Sequence, residues 1–187
     1  RHAEIFFDPQ AHTSRGVAFE TFINGLYRAT VDARALHVDA RLIMCFLRDL
    51  SRESARKTLE ESLPYRDKFI GVGLDSDEHN NPPMKFFNQF TQAEQYGLHL
   101  TAHADIDQKD SIEHIRDLLE VIGVERIDHG TNIVEDPDLV EYAAKHHIGF
   151  TTCPLSNTFV RPEMKGPEVL ELLSKGVKVS AHSDDPA

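Results

Sequence analysis

The chain has 187 residues, 40% apolar and 27% charged, with 20 Lys and Arg against 31 Asp and Glu and a formal net charge of −11, a balance that suits one globular domain with a substantial core. The acidic excess argues against nucleic acid as a partner, because a phosphate backbone calls for a basic patch. No apolar run approaches the roughly 18 residues of a membrane span, Arg1-His2-Ala3-Glu4 lacks the shape of a signal peptide, and Cys45 and Cys153 form no disulfide framework, so a reducing compartment, the cytoplasm, is expected.

In chain order, short apolar runs rich in β-formers alternate with amphipathic stretches. Residues 3–7 open the series, and Phe19, Phe22, Ile23 and Leu26 then mark one helical face. Residues 38–47 form the second run, followed by Ser51 and Ser54 at an N-cap and its box position. Residues 69–74 form the third, and Asn80-Asn81-Pro82-Pro83 breaks the chain before the next helix. Residues 98–102 follow, then Asp110 with Glu113 as a second capping pair and an apolar face at Ile112, Ile115, Leu118, Leu119 and Ile122. Residues 126–127 precede a helix with Leu139, Val140 and Ala143 on one side. Residues 148–152 precede another at Val169, Leu170, Leu172 and Leu173, and residues 177–180 close the series. Gly97, Gly123, Gly149 and Gly176 are expected at the left-handed position that ends a helix.

Seven strands alternating with six helices predict an α/β protein with a parallel sheet. An open doubly wound sheet and a closed barrel compete, and no Gly-rich phosphate fingerprint follows any strand. Polar residues instead gather where nearly every strand ends, as on the catalytic rim of a (β/α)8 barrel. A complete barrel takes about 250 residues. The expected fold is therefore an incomplete (β/α)8 barrel, residues 1–187 forming one partial domain that lacks the first strand and the final helix.

The candidate chemistry lies at those strand ends. His103 is followed by Asp105 and Asp107 at two-residue spacing, which in extended chain points all three to one side. Such groups are costly to bury without a metal, water or substrate, while a solvated loop before a helix would also explain them. His129 precedes Gly130, so the chain can turn at once and leave an imidazole at the rim, either for proton transfer or simply paired with Asp128. Asp184-Asp185-Pro186 puts adjacent carboxylates after the last run, where a cation would relieve their repulsion and a helix N-cap is the plainer reading. Together, His103, His129 and Asp184 suit a mononuclear zinc hydrolase with further ligands elsewhere.

Six segments in order carry a resemblance: Phe6-Phe7-Asp8-Pro9-Gln10 with His12, Gly73-Leu74-Asp75-Ser76, Thr101-Ala102-His103, Arg126-Ile127-Asp128-His129-Gly130, Cys153-Pro154-Leu155-Ser156-Asn157 and Ser183-Asp184-Asp185-Pro186. They resemble the adenosine/adenine deaminase family, most closely its adenine deaminase branch, over essentially the whole chain. The resemblance implies a metal-dependent hydrolase barrel with one zinc ion, converting a 6-aminopurine (adenine or adenosine) to its 6-oxo form in purine salvage. It implies His103 and Asp184 as zinc ligands and His129 as the group that orients and helps deprotonate the attacking water. Gly73, Asp75, Ser76 and Asp185 would hold the purine. A His-x-His pair on a preceding strand would complete the metal site, so the chain alone is expected to be inactive. One departure stands out. The family reads His-Ala-Gly-Glu where this chain reads His103-Ala104-Asp105-Ile106-Asp107, so Ile106 occupies the place of the proton-shuttling glutamate. Asp105 or Asp107 is expected to take that task. A hydrolase acting on another aminated ring, or an inactive purine-binding paralogue, are the alternative readings.

Overall fold

The computed structural model describes residues 1–160 and 164–184. Seven strands are present among them: β1 (His2–Phe7), β2 (Asp39–Leu47), β3 (Gly71–Asp75), β4 (His99–Ala104), β5 (Arg126–His129), β6 (Gly149–Thr152) and β7 (Lys178–Ala181). Every neighbouring pair is parallel, and the spatial order runs from β1 to β7 without reversal. A doubly wound sheet reverses its order at a switch point, so this sequential order excludes that architecture and is the one a (β/α)8 barrel has. No described helix is long and apolar enough to cross a membrane.

Contacts divide the chain into two units, Arg1–Asp77 with Lys85–Leu100, and Glu78–Met84 with Thr101–Ala187. The first unit holds α1 (Pro9–Thr13), α2 (Phe19–Ala33), α3 (Arg52–Ser62) and α4 (Phe87–Gln95). Phe19, Phe22 and Ile23 of α2 are buried, as the 3.6-residue spacing predicts. Leu42 to Phe46 of β2 are buried without interruption, the signature of a strand covered on both faces. Ser51 caps α3 by accepting a hydrogen bond from the Ser54 amide at 3.1 Å.

The second unit holds α5 (Ser111–Arg116), α6 (Pro137–Lys145), α7 (Pro154–Val160) and α8 (Gly166–Ser174). A wider π-turn over Asp117–Ile122 continues α5, with the Gly123 amide donating to the Leu118 carbonyl. Ile115, Leu118, Leu119 and Ile122 are buried there. Asp136 caps α6 through Oδ1, which accepts from the amides of Asp138 and Leu139.

Three local expectations are corrected. Asp110 precedes α5 but makes no side-chain cap. Gly97, Gly123 and Gly176 are left-handed, whereas Gly149 is already the first residue of β6, and His147 takes the left-handed turn at φ 59°. Of the four apolar residues expected to face the core from α8, only Leu172 is buried, while Leu170 and Leu173 are exposed. Four apolar positions within five residues subtend a wider arc than one packed face can cover.

Candidate active site

β4 and β5 run side by side, with His103 paired to Asp128 and Ala104 to His129. Both histidines therefore lie within the last two residues of their strands rather than beyond them. The chain turns sharply after β5. His129 and Gly130 are both left-handed, at φ 62° and 63°, and the Gly130 amide donates to the Ala104 carbonyl at 3.0 Å. A Cβ on Gly130 would lie 2.5 Å from Ile127 Cγ2, so this turn requires glycine for space as well as for φ.

This turn brings the imidazoles of His103 and His129 to a ring separation of 5.3 Å. Asp184, after β7, adds a carboxylate, with Oδ2 3.8 Å from His129 Nε2. One donor atom from each of His103, His129 and Asp184 lies within 4.8 Å of the others. The histidines are half-buried and Asp184 is exposed. Burial lowers the pKa of His129, with the neighbouring His103 acting in the same direction, while Asp184, Asp128 and a hydrogen bond to Asn157 oppose the shift. His129 is thus disposed to be a neutral imidazole that can accept a proton.

Asp128, which the sequence offers only as a pairing partner for His129, underlies the two imidazoles. It is 2% exposed. Its Oδ2 accepts from Thr101 Oγ1 at 2.7 Å and lies 3.8 Å from His103 Nδ1, while Oδ1 accepts from Thr151 Oγ1 and pairs with Arg126 Nε at 3.2 Å. A buried carboxylate fixed in this way sets a negative charge beside His103. The alternation of Thr101, Asp128 and Thr151 across three adjacent strands was the signal available in the sequence, but the register needed to read it was not.

Asp105 and Asp107 follow β4 and are half-buried, outside the three-residue cluster. Ile106 between them is only 4% exposed, so its side chain belongs to the core. Gly73 is buried within β3 opposite Cys45. Asp75 ends β3, and Ser76 is exposed and left-handed at φ 72°. In the first unit Asp75 forms a second cluster, with donor atoms of Asp8 and Cys45 within 4.8 Å. Among the described residues, the buried Oδ1 atoms of Asp8 and Asp75 have no hydrogen-bond partner. Burial, reinforced by the adjoining Asp8 carboxyl, pushes Asp75 up to about 9. Asp185 lies outside the described residues.

Two imidazoles and a carboxylate converging at strand ends are a donor set that fits hydrolytic zinc. Comparison with known proteins points the same way. The profile of the family described as Adenosine deaminase matches residues 1–187. An uncharacterized deaminase of Schizosaccharomyces pombe is 54% identical over 187 residues, covering 100% of this chain and 55% of that protein. An adenine deaminase of Cupriavidus metallidurans is 49% identical, covering 100% of this chain and 53% of its own length. The chain thus spans about half the length of these curated relatives. Among solved structures, the adenine deaminase of Arthrobacter aurescens superposes with a TM-score of 0.92 at 42% identity, covering 100% of this chain and 57% of that one. An amidohydrolase from Burkhoderia ambifaria, solved with bound Zn, gives 0.87 at 27% identity, covering 100% and 53%.

Proposed function

The chain belongs to the adenosine deaminase family, and from that premise we propose that the complete protein hydrolyses a 6-aminopurine, adenine or adenosine, releasing ammonia. The observation that carries the proposal is the convergence of His103, His129 and Asp184 donor atoms within 4.8 Å. His103 and Asp184 are the zinc ligands supplied by this chain. When bound, the ion supplies Lewis-acid activation of water near neutral pH. His129, held neutral by burial, orients the attacking water and accepts its proton. Addition at C6 breaks the aromaticity of the ring and leaves N1 in need of a proton. Asp105 or Asp107 delivers that proton, since Ile106 has none to give. The proton taken up by His129 then passes to the amino group, which departs as ammonia, while the C6 hydroxyl returns its proton to the aspartate carboxylate and becomes the carbonyl. Gly73, Asp75, Ser76 and Asp185 hold the edges of the purine, and a protonated Asp75 would serve as a donor to a ring nitrogen. Residues 1–187 belong to one catalytic domain that works in the cytoplasm, a setting that suits the two buried free cysteines.

The test is made on the full-length protein loaded with zinc. Ammonia release from adenine and from adenosine is expected for at least one of the two. Asp184→Ala removes one ligand, so zinc content and turnover should fall together, turnover by about 10² or more. Full zinc occupancy with full activity in that variant would remove Asp184 from the ligand set. Turnover of another aminated ring, with neither purine accepted, would favour a divergent hydrolase, the reading that the buried Ile106 supports.

A further inference from the structure

We propose that Glu78 is a positioning residue for this reaction, its buried carboxylate holding the 105–107 segment at the end of β4 so that the aspartates there keep a fixed pose toward the substrate. The inference rests on the reading that this segment supplies the proton to N1.

Glu78 is 1% exposed and comes from the connection after β3. Acidic side chains are almost never fully buried unless they are paired. Its Oε2 accepts from the Asp105 amide at 2.8 Å, and its Oε1 meets His114 Nδ1 of α5 at 2.5 Å. The Asp105 amide is the first after the ladder of β4 stops at Ala104. Glu78 thus extends the support of this backbone one residue past the end of the strand. Two further bonds hold the neighbouring backbone: the Ala104 carbonyl accepts from the Gly130 amide at 3.0 Å, and the Ile106 carbonyl accepts from Asn132 Nδ2 at 2.9 Å. The inward Ile106 side chain anchors the same stretch. The backbone from Ala104, the last residue of β4, through Ile106 is thereby held by groups from two other connections, and Asp105 and Asp107 flank the Ile106 anchor.

Glu78 is not itself the proton donor. Its side chain is fully enclosed and both of its oxygens are engaged. It acts through the loop. A displacement of about 1 Å at a reacting group can cost on the order of 10² in rate, so a support at one remove from the chemistry can matter to turnover.

The test uses the full-length, zinc-loaded protein with adenine and adenosine, and reads amide hydrogen exchange of the peptide containing Asp105 beside the kinetics. In Glu78→Ala the exchange should quicken, and kcat should fall by about tenfold to 10², with zinc content unchanged and KM within about threefold of the parent. Glu78→Gln retains an oxygen for the Asp105 amide and should restore both exchange protection and most of the turnover. Glu78→Met, similar in volume and without an acceptor, should repeat the alanine result if the alanine variant does not fold. Unchanged exchange in a folded variant overturns the clamp. Faster exchange with undiminished kcat overturns the positioning role, as does a loss of thermal stability alone. A parent that deaminates neither purine overturns the reading of the site and the catalytic role with it, while the exchange measurement still decides whether the clamp exists.

Discussion

Under the proposed mechanism, Ile106 leaves to its two neighbours what one longer side chain would otherwise do. Asp105 and Asp107 differ in how they are held: Asp107 Oδ1 accepts from Gln108 Nε2 at 3.0 Å, and Asp105 is fixed through its amide to Glu78. Asp105→Asn and Asp107→Asn are near-isosteric and abolish the acid without altering volume. One of them should lower kcat by about 10² or more with zinc retained, which identifies the shuttle. If both variants turn over purine like the parent, the proton comes from another group. His103, His129 and Asp184 were legible as candidates because polar side chains at the ends of buried strands need a reason to be there. Asp128 and Glu78 were not legible as supports, because Thr101 and the Asp105 amide each lie 27 residues away in sequence, and only the fold brings Thr101 to Asp128 or the Asp105 amide to Glu78.

Among the elements, the turn after β5 carries the sharpest demand. Gly130→Ala would force a Cβ against Ile127 and Phe150 at a left-handed position. It should destabilise the protein by about 1–3 kcal/mol and move His129 with it, seen as a lower Tm together with reduced turnover in the zinc-loaded full-length protein. A substitution that left both unchanged would mean that the turn relaxes at no cost. The parallel strands could be read from the sequence because each is a short apolar run, and the observed boundaries differ by no more than about two residues, the usual uncertainty of strand ends. The widened turn of Asp117–Ile122 could not, since adjacent Leu118 and Leu119 fit either an ordinary helical stripe or a π-turn. The short helices α1 and α7 were also missed, because five and seven residues are too few to display a period.

For the molecule as a whole, Asp75 ties stability to pH. Its folded carboxyl is raised to about 9 by burial and the adjoining Asp8. Below the ordinary carboxyl range both the folded and the unfolded chain hold the proton. As pH rises, the unfolded chain releases it first, so this group's contribution to stability falls, and the decline ends only above about 9, where the folded chain releases it too. Asp75→Asn should remove that slope: denaturant midpoints of variant and parent should agree near pH 4 and separate progressively toward pH 9, with the variant the more stable. Parallel profiles across that range would mean that Asp75 ionises normally. The left-handed residues at and beyond the strand ends bear on the molecule differently. Ser76, His129 and Asp184 all have φ between 62° and 72°. Histidine and aspartate are among the few side chains besides asparagine that enter this region with any frequency. Under the proposed mechanism, the alphabet open to sequence change at positions 129 and 184 is therefore filtered twice, once by the chemistry of the site and once by the backbone. Glutamate at 184 would keep the charge yet enter a conformation it seldom adopts, so even drift between the two acids is closed off by the shape of the chain.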